Sequence, residues 1–257
     1  MILVGIPNFI DWICHLQNPK IILHTLDDVE QINNIVEQNK IQYIIPMTYN
    51  QMKYLSAHKF KCVIIAPKKY ELVDNLDNKG KFILLAHKHK FNKYLPKTYI
   101  IRDNKTKTFE SIKYPCILKK SIAFGGIDSV VLTSSVHRTD ILTKCGFDYV
   151  IQEYIKHDTE YVGNFVVING KITYSLIFMQ KYNSEYYIKK KKMTNYVIVN
   201  IDIQPFIEIF TKLKYTGAAC ADFKIIRSQI KIFEINPRFG GTFVTNGHFD
   251  TFLETLN

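Results

Sequence analysis

The sequence predicts an N-terminal part with a parallel α/β sheet, followed by an α+β part built on antiparallel hairpins. Three observations predict it. Short apolar runs alternate with helix-type stretches through about the first third of the chain, the pattern of strands joined by crossover helices. The alternation stops after LDNKGKF at 76–82. Two hairpin signals then appear, Asn169-Gly170 inside FVVINGKITYSLIF and Arg227-Ser228-Gln229 inside an isoleucine-rich run.

In chain order, ILVGI, IILHT, IQYIIP and CVIIA read as strands. The stretches 9–18, 27–39, 48–58 and 68–77 read as the helices between and after them. Gly5 stands alone after the first strand, and no GxGxxG occurs, so the dinucleotide fingerprint is absent. Beyond residue 78 a helix is expected over 80–92, ending before Pro96, because a residue preceding proline is pushed out of the helical region. Strands follow at 98–102, in YPCILKK (114–120), in VVLT (130–133) and in YVIQEYI (149–155). The glycine-containing loop SIAFGGIDS (121–129) and a short helix near 136–144 lie among them. After the first hairpin come a lysine run at 189–192, a helix near 203–214 and the second hairpin, CADFKII with KIFEINPR. FDTFLETL closes the chain as a helix, with Asp250 as its expected N-cap.

Bulk properties narrow the class. The 257 residues are ample for one large domain or two smaller ones. The chain is 47% apolar and 22% charged, as in ordinary globular proteins. Lys and Arg outnumber Asp and Glu by 34 to 23, a formal charge of +11. That excess suits an anionic partner, either a nucleotide, another small anion or a nucleic acid. It is spread along the chain, which favours the small anions. Cys14, Cys62, Cys116, Cys145 and Cys220 are widely spaced and form no CxxC. Structural zinc and a disulfide framework are therefore not expected, and a reducing, cytoplasmic setting is. No apolar run approaches a membrane span, and MILVGIPNF lacks the basic start and long apolar core of a signal peptide.

The chemistry-bearing stretch is FEINPRFGG at 233–241. On a strand, Glu234, Asn236 and Arg238 share one face, and Phe233, Ile235 and Phe239 the other. Pro237 puts this stretch near a strand end or edge. Asp222 lies on the first arm of the same hairpin. Two carboxylates and an amide oxygen make a hard-oxygen set suited to Mg²⁺. Arg238 adds a planar fork that clamps phosphoryl oxygens. Metal plus arginine is what phosphoryl transfer requires, since its catalysis is mostly positioning and charge neutralisation. Lys119, at the end of YPCILK, and the backbone around Gly125-Gly126 are candidates to hold phosphates. The bland reading, a solvated polar face of an edge strand, fits Glu234, Asn236 and Arg238 taken alone. Asp222 and the upstream basic residues favour the site.

These motifs resemble the ATP-grasp superfamily, in the branch of biotin carboxylase, the carbamoyl phosphate synthetase large subunit and the amino-acid ligases. NKGKF with Pro96, YPCILKK, SIAFGGIDS, IQEYI, CADFKII and FEINPRFGG follow the family's order over about 79–242. The resemblance implies a pre-ATP-grasp α/β domain at 1–78 and a two-lobed ATP-grasp domain at 79–257, with a hinge near 151–155. It implies a carboxylate–amine ligase that consumes ATP through an acyl-phosphate. It also implies the residue roles. Lys79, with Lys81 competing for the match, contacts the α-phosphate side, and Lys119 binds adenine and phosphate. Gly125 and Gly126 cover the phosphates. Gln152 and the backbone of Glu153, Tyr154 and Ile155 hold adenine. Glu160 accepts from the ribose, and Lys181 reaches the γ-phosphate. Asp222, Glu234 and Asn236 bind one or two Mg²⁺, with Mn²⁺ as an alternative, and Arg238 stabilises the acyl-phosphate and tetrahedral states. The implied partners are small carboxylates and amines, with a homodimer or partner subunit left open.

The sequence departs from the family pattern, and Asp128, with an end soon after FGGT, motivates a second reading. Lys120 stands where the family has proline, and Asp128 where its loop often has glycine. A regulatory or scaffold subunit that binds ATP without ligating is that alternative. A nucleic-acid-binding protein is the third. It is motivated by the charge and by the Lys189–Lys192 run beside Tyr182, Tyr186, Tyr187 and Tyr196.

Overall fold

The computed structural model describes residues 1–8, 10–101, 112–123, 129–134, 149–183, 195–245 and 247–256. The expected helix at 136–144, Gly125, Gly126, Asp128, Cys145 and the Lys189–Lys192 run lie outside the described residues.

The N-terminal sheet is parallel and ordered β2-β1-β3-β4, from strands β1 (Ile2–Gly5), β2 (Ile21–His24), β3 (Tyr43–Ile45) and β4 (Val63–Ile64). Helices α1 (Ile10–Ile13), α2 (Val29–Gln38), α3 (Tyr49–Ser56) and α4 (Tyr70–Asp77) follow these strands in turn. Where the sequence predicted one helix over 9–18, only four residues are helical. So short a stretch has few turns to propagate a helix, and turns complete the crossover. Asp28 caps α2 by accepting from the Gln31 N–H. Thr48 and Gln51 form a capping box on α3. Gln51 also fixes the carboxyl end of the sheet. Its Oε1 accepts from the Met47 and Thr48 N–H groups, and its Nε2 donates to the Ile6 and Thr25 carbonyls. This explains the solitary Gly5, because a Cβ there would lie 2.2 Å from Gln51 Oε1.

Asn78 ends α4 and caps α5 (Lys79–Lys88), accepting from the Lys81 N–H. A mixed-order antiparallel sheet, β5-β8-β6-β7, follows, from β5 (Thr98–Ile100), β6 (Cys116–Lys120), β7 (Val130–Leu132) and β8 (Tyr149–Glu153). The largest sheet is ordered β11-β10-β9-β12-β13. Its strands are β9 (Thr159–Ile168), β10 (Lys171–Lys181), β11 (Val197–Val199), β12 (Gly217–Ile226) and β13 (Gln229–Asn236). Both predicted hairpins are present. Asn169 and Gly170 turn the first at φ of 50° and 82°, and the second needs only Arg227 and Ser228, at 47° and 63°. Gln229, expected in that turn, already pairs with Ile226.

Strand periodicity splits the five-stranded sheet into two faces. Odd-numbered residues of β9 and β12, such as Phe165, Val167, Ala219 and Phe223, face a core closed by α5 and α6 (Gln204–Leu213). Phe206, Ile209 and Phe210 line α6 at helical spacing and are fully buried. Even-numbered residues Val162, Val166, Phe178 and Ala218 face a second core. It includes Ile2, Val4, Trp12 and Ile45 of the N-terminal part and Phe239, Phe243, Phe249 and Phe252 near the C-terminus. Those four phenylalanines come from the end of β13 and from α7 (Gly241–Thr245) and α8 (His248–Glu254). Asp250 does not cap α8. Gly247 does, at φ 76°, and Asp250 instead accepts from Asn18 Nδ2 at 3.0 Å. A left-handed glycine was available one turn earlier and began the helix there.

Candidate active site

The site is built on the even face of the five-stranded sheet. In register, Asp222 lies opposite Glu234, and Cys220 opposite both Asn236 and Asn164. Directly opposed residues of antiparallel strands share a face. Asp222, Glu234 and Asn236 are therefore brought together on one face. The alternation fails at Phe233 and, beyond the strand, at Phe239, which joins the even-face core. The β12–β13 register shifts between Asp222 and Phe223, leaving Phe233 as the extra residue. Ile230, Ile232 and Ile235 are buried, while Phe233 is half-buried and carries the Lys119 ammonium 5.0 Å from its ring centre. A bulge re-aims side chains in this way, and residue spacing does not reveal it.

Lys79 stands in the first turn of α5. Its Nζ lies 3.0 Å from Glu234 Oε2 and 3.4 Å from the Ala123 carbonyl. Lys81, the competing match, instead pairs with Asp74. Asn236 Nδ2 donates to Glu234 Oε1 at 3.1 Å. Burial pushes the Glu234 carboxyl upward. The ammonium groups of Lys79 and Lys119, with the hydrogen bonds from Lys79 and Asn236, outweigh it and hold the group well below the usual carboxylate range. Lys119 Nζ donates to Gln152 Oε1 at 3.0 Å, and Gln152 Nε2 donates to Thr98 Oγ1 at 3.1 Å. Burial pulls Lys119 down to about 8, against the opposing pull of Glu234.

Arg238 follows Pro237 just beyond β13. Its Nη1 donates to the Phe239 carbonyl at 3.1 Å, and the guanidinium also bonds the Tyr49 hydroxyl. Tyr49 in turn donates to Asp77 Oδ1 at 2.5 Å. Burial raises the Asp77 carboxyl, opposed by the Tyr49 hydrogen bond and by the charges of Arg238 and Lys79. The sequence reading missed Tyr49 and Asp77. Signals for both were present. Tyr49 follows the carboxyl end of a parallel strand, where α/β sheets place ligands, and Asp77 lies two residues before Lys79.

Further along the same face, Glu160 is buried and opposes Gln180 across β9 and β10. Gln180 Oε1 and Asn164 Nδ2 are buried without a hydrogen-bond partner. Asn164 Oδ1 accepts from the Gly240 N–H at 3.1 Å. A Cβ on Gly240 would sit 2.7 Å from Cys220 Sγ and 2.9 Å from Asn164 Oδ1, so the close approach requires glycine. Lys181 is not brought into this cluster. It is exposed, on the other face of β10, with its Nζ 3.4 Å from Asp158. Glu153 is exposed, whereas Tyr154 is buried.

The donor set fits Mg²⁺ chemically, with two carboxylates on paired strands and the amide oxygen of Asn236 two residues on. No cluster of three or more His, Cys, Asp or Glu capable of holding a metal occurs among the described residues. A cation here would therefore take the rest of its shell from the amide, water or phosphate. Lys79, Lys119 and Arg238 bring three cationic groups to the carboxylates of Asp77, Asp222 and Glu234. No helix among the described residues is long and apolar enough to cross a membrane.

No family model matches the sequence, and no curated protein matches it. Solved structures do match in fold. D-alanine–D-alanine ligase from Bacillus anthracis superposes with a TM-score of 0.61 at 13% identity, over 99% of this chain and 94% of that one. L-amino acid ligase from Bacillus licheniformis gives 0.61 at 12%, over 95% and 68%. D-alanine–D-alanine ligase from Helicobacter pylori gives 0.58 at 16%, over 83% and 71%. These likenesses bear out the fold that the sequence resemblance implied.

Proposed function

We propose that this chain, whose fold is that of the ATP-grasp ligases, is an ATP- and Mg²⁺-dependent ligase joining a small carboxylate to an amine. The observation that carries the reading is the convergence of Lys79, Lys119 and Arg238 on the face that holds Asp222, Glu234 and Asn236. On this reading residues 1–78 form an α/β domain and 79–257 the ATP-grasp domain, with its hinge at 151–155. The names of two structural neighbours, D-alanine–D-alanine ligase and L-amino acid ligase, support an amino acid as one substrate.

Lys119 and Lys79 hold the phosphates, and Gln152 and the connector after it hold the base. Asp222, Glu234 and Asn236 hold Mg²⁺, which when bound neutralises phosphate oxygens and lets a second anion approach. The substrate carboxylate attacks the terminal phosphorus, and the bond to the leaving diphosphate oxygen breaks. The amine then adds to the acyl carbon, and phosphate leaves. Arg238 faces the developing negative charge in both steps, held in place by Tyr49 and Asp77 from the N-terminal part.

The test is ADP and phosphate release from Mg-ATP across pooled amino acids and small carboxylates. Wild type releases ADP only with a particular pool. Glu234→Gln and Arg238→Ala each lose at least about a hundredfold of that rate while melting as cooperatively as wild type. Wild-type binding of ATP with no pool-dependent release would replace this reading with the regulatory-subunit one.

A further inference from the structure

Lys224 is a charged residue inside the strand CADFKII, and the chemistry above does not use it. It is 3% exposed. It lies on the even face of β12, next along that face from Asp222. Its Nζ donates to the Ile155 carbonyl at 3.0 Å and to the His157 carbonyl at 2.9 Å. The same ammonium lies 5.5 Å from the centre of the buried Tyr154 ring. Burial lowers its affinity for the proton, while Glu160 and Asp158 raise it, with a net downward shift.

The segment receiving these bonds is unusual. Residues 154–158 carry no regular secondary structure and join β8 of the four-stranded sheet to β9 of the five-stranded one. Its ends are tied. Glu153 N–H donates to the Lys97 carbonyl, Tyr154 N–H to the Pro115 carbonyl, and Tyr182 N–H to the Asp158 carbonyl. Between those ties its path depends on side chains. Lys224 reaches across from the larger sheet and anchors two carbonyls. Peptide planarity then fixes two peptide planes of the connector. A buried lysine is costly unless its donors are satisfied, and an apolar residue would fill this strand position more cheaply. The lysine is explained by the carbonyls that it holds.

We propose that Lys224 is the positioning residue for the base-binding connector, fixing the backbone of residues 154–158 so that it discriminates adenine from other bases. This rests on the nucleotide reading above and assigns specificity within it. Lys224 acts through the connector and touches neither phosphate nor metal. Its loss therefore affects base recognition while triphosphate binding by Lys79 and Lys119 persists.

The experiment is a binding titration of ATP and of ITP, in the presence of Mg²⁺, to wild type, Lys224→Met and Lys224→Arg. ITP presents a carbonyl and an N–H where adenine presents an amino group and an acceptor, so the ratio of the two affinities reads base recognition. Wild type favours ATP. Lys224→Met weakens ATP by about tenfold or more and brings the ratio near unity, with ITP affinity unchanged. Lys224→Arg, which can still donate to both carbonyls, restores most of the preference. Should Lys224→Met not fold, Lys224→Gln is judged by the same criteria. An unchanged ratio in a folded variant overturns the inference, as does a loss in Lys224→Arg as deep as in Lys224→Met. Wild-type binding of neither nucleotide would instead overturn the nucleotide reading, and this inference with it.

Discussion

Along β12, Ala219, Ala221 and Phe223 alternate with Cys220, Asp222 and Lys224, so one strand supplies both faces of the five-stranded sheet. The odd face is apolar where α5 and α6 cover it. The Phe165 ring centre lies 4.6 Å from that of Phe206 and 5.5 Å from that of Phe210, and Phe206 lies 5.2 Å from Phe223. The even face is divided. One end is packed by Val166, Ala218, Phe239 and Phe243, and the other carries Glu160, Asp222, Lys224 and Glu234. The difference teaches where this fold holds its stability and where it gives some up. The apolar face is satisfied internally. The polar end carries a lysine lowered by burial, two amides with buried unpartnered atoms, and carboxylates in contact with cations. Such unresolved polarity is expected where a ligand completes the structure.

A substitution on the odd face tests the contrast most severely. Phe165→Ala removes a fully buried ring that touches two α6 phenylalanines. The expected cost is about 3–5 kcal/mol in urea unfolding, with nucleotide affinity of the folded protein preserved. An affinity that falls in step with stability would mean that the two faces are not separable.

Lys119 gives the opposite result. Its folded-state proton affinity, lowered from 10.5 to about 8 by burial, is weaker than that of the unfolded chain. The unfolded chain therefore binds more protons between these values, and stability rises with pH across that interval. At neutral pH burial of the ammonium is a cost, and Lys119→Met lacks the alkaline gain in stability. Its nucleotide affinity falls by about tenfold or more. In wild type, where the cation is needed, affinity declines as pH rises through about 8. A titration from about pH 6.5 to about 9.5 with a flat wild-type profile would remove Lys119 from the phosphate contacts.

The same contrast explains what was legible in the sequence. Regular alternation and turn chemistry are local, so the parallel strands, the Asn169-Gly170 hairpin and the shared face of Glu234 and Asn236 could be read directly. The bulge at Phe233 could not, because residue spacing carries no record of a register shift. Tyr49 and Asp77 lie in the N-terminal part, and only tertiary packing brings them to Arg238. Lys224 read as one more strand residue, since the carbonyls that justify it are distant in sequence. Lys181 resembled a phosphate ligand by position in the chain, yet strand parity puts it on the other face from Glu160.

The smallest expected effect lies at the tip joining β12 to β13. The two hairpins of this sheet use the same two-residue loop, with both central residues at positive φ. Asn169-Gly170 meets that demand with favoured residues, whereas Arg227-Ser228 holds two ordinary side chains there. Ser228, at φ 63°, bears a left-handed strain that glycine relieves. The greater unfolded-state freedom of glycine offsets part of the relief. Ser228→Gly is therefore expected to stabilise by about 0.5 kcal/mol, read as a shift in the urea midpoint. Neither face changes, so ADP release should not change. This loop sets the hairpin register as far as Phe223, and the bulge at Phe233 then puts Asp222 opposite Glu234. A more stable Ser228→Gly variant with altered release would mean that the site depends on strain in the turn, and that the apolar and polar faces are coupled through the hairpin they share.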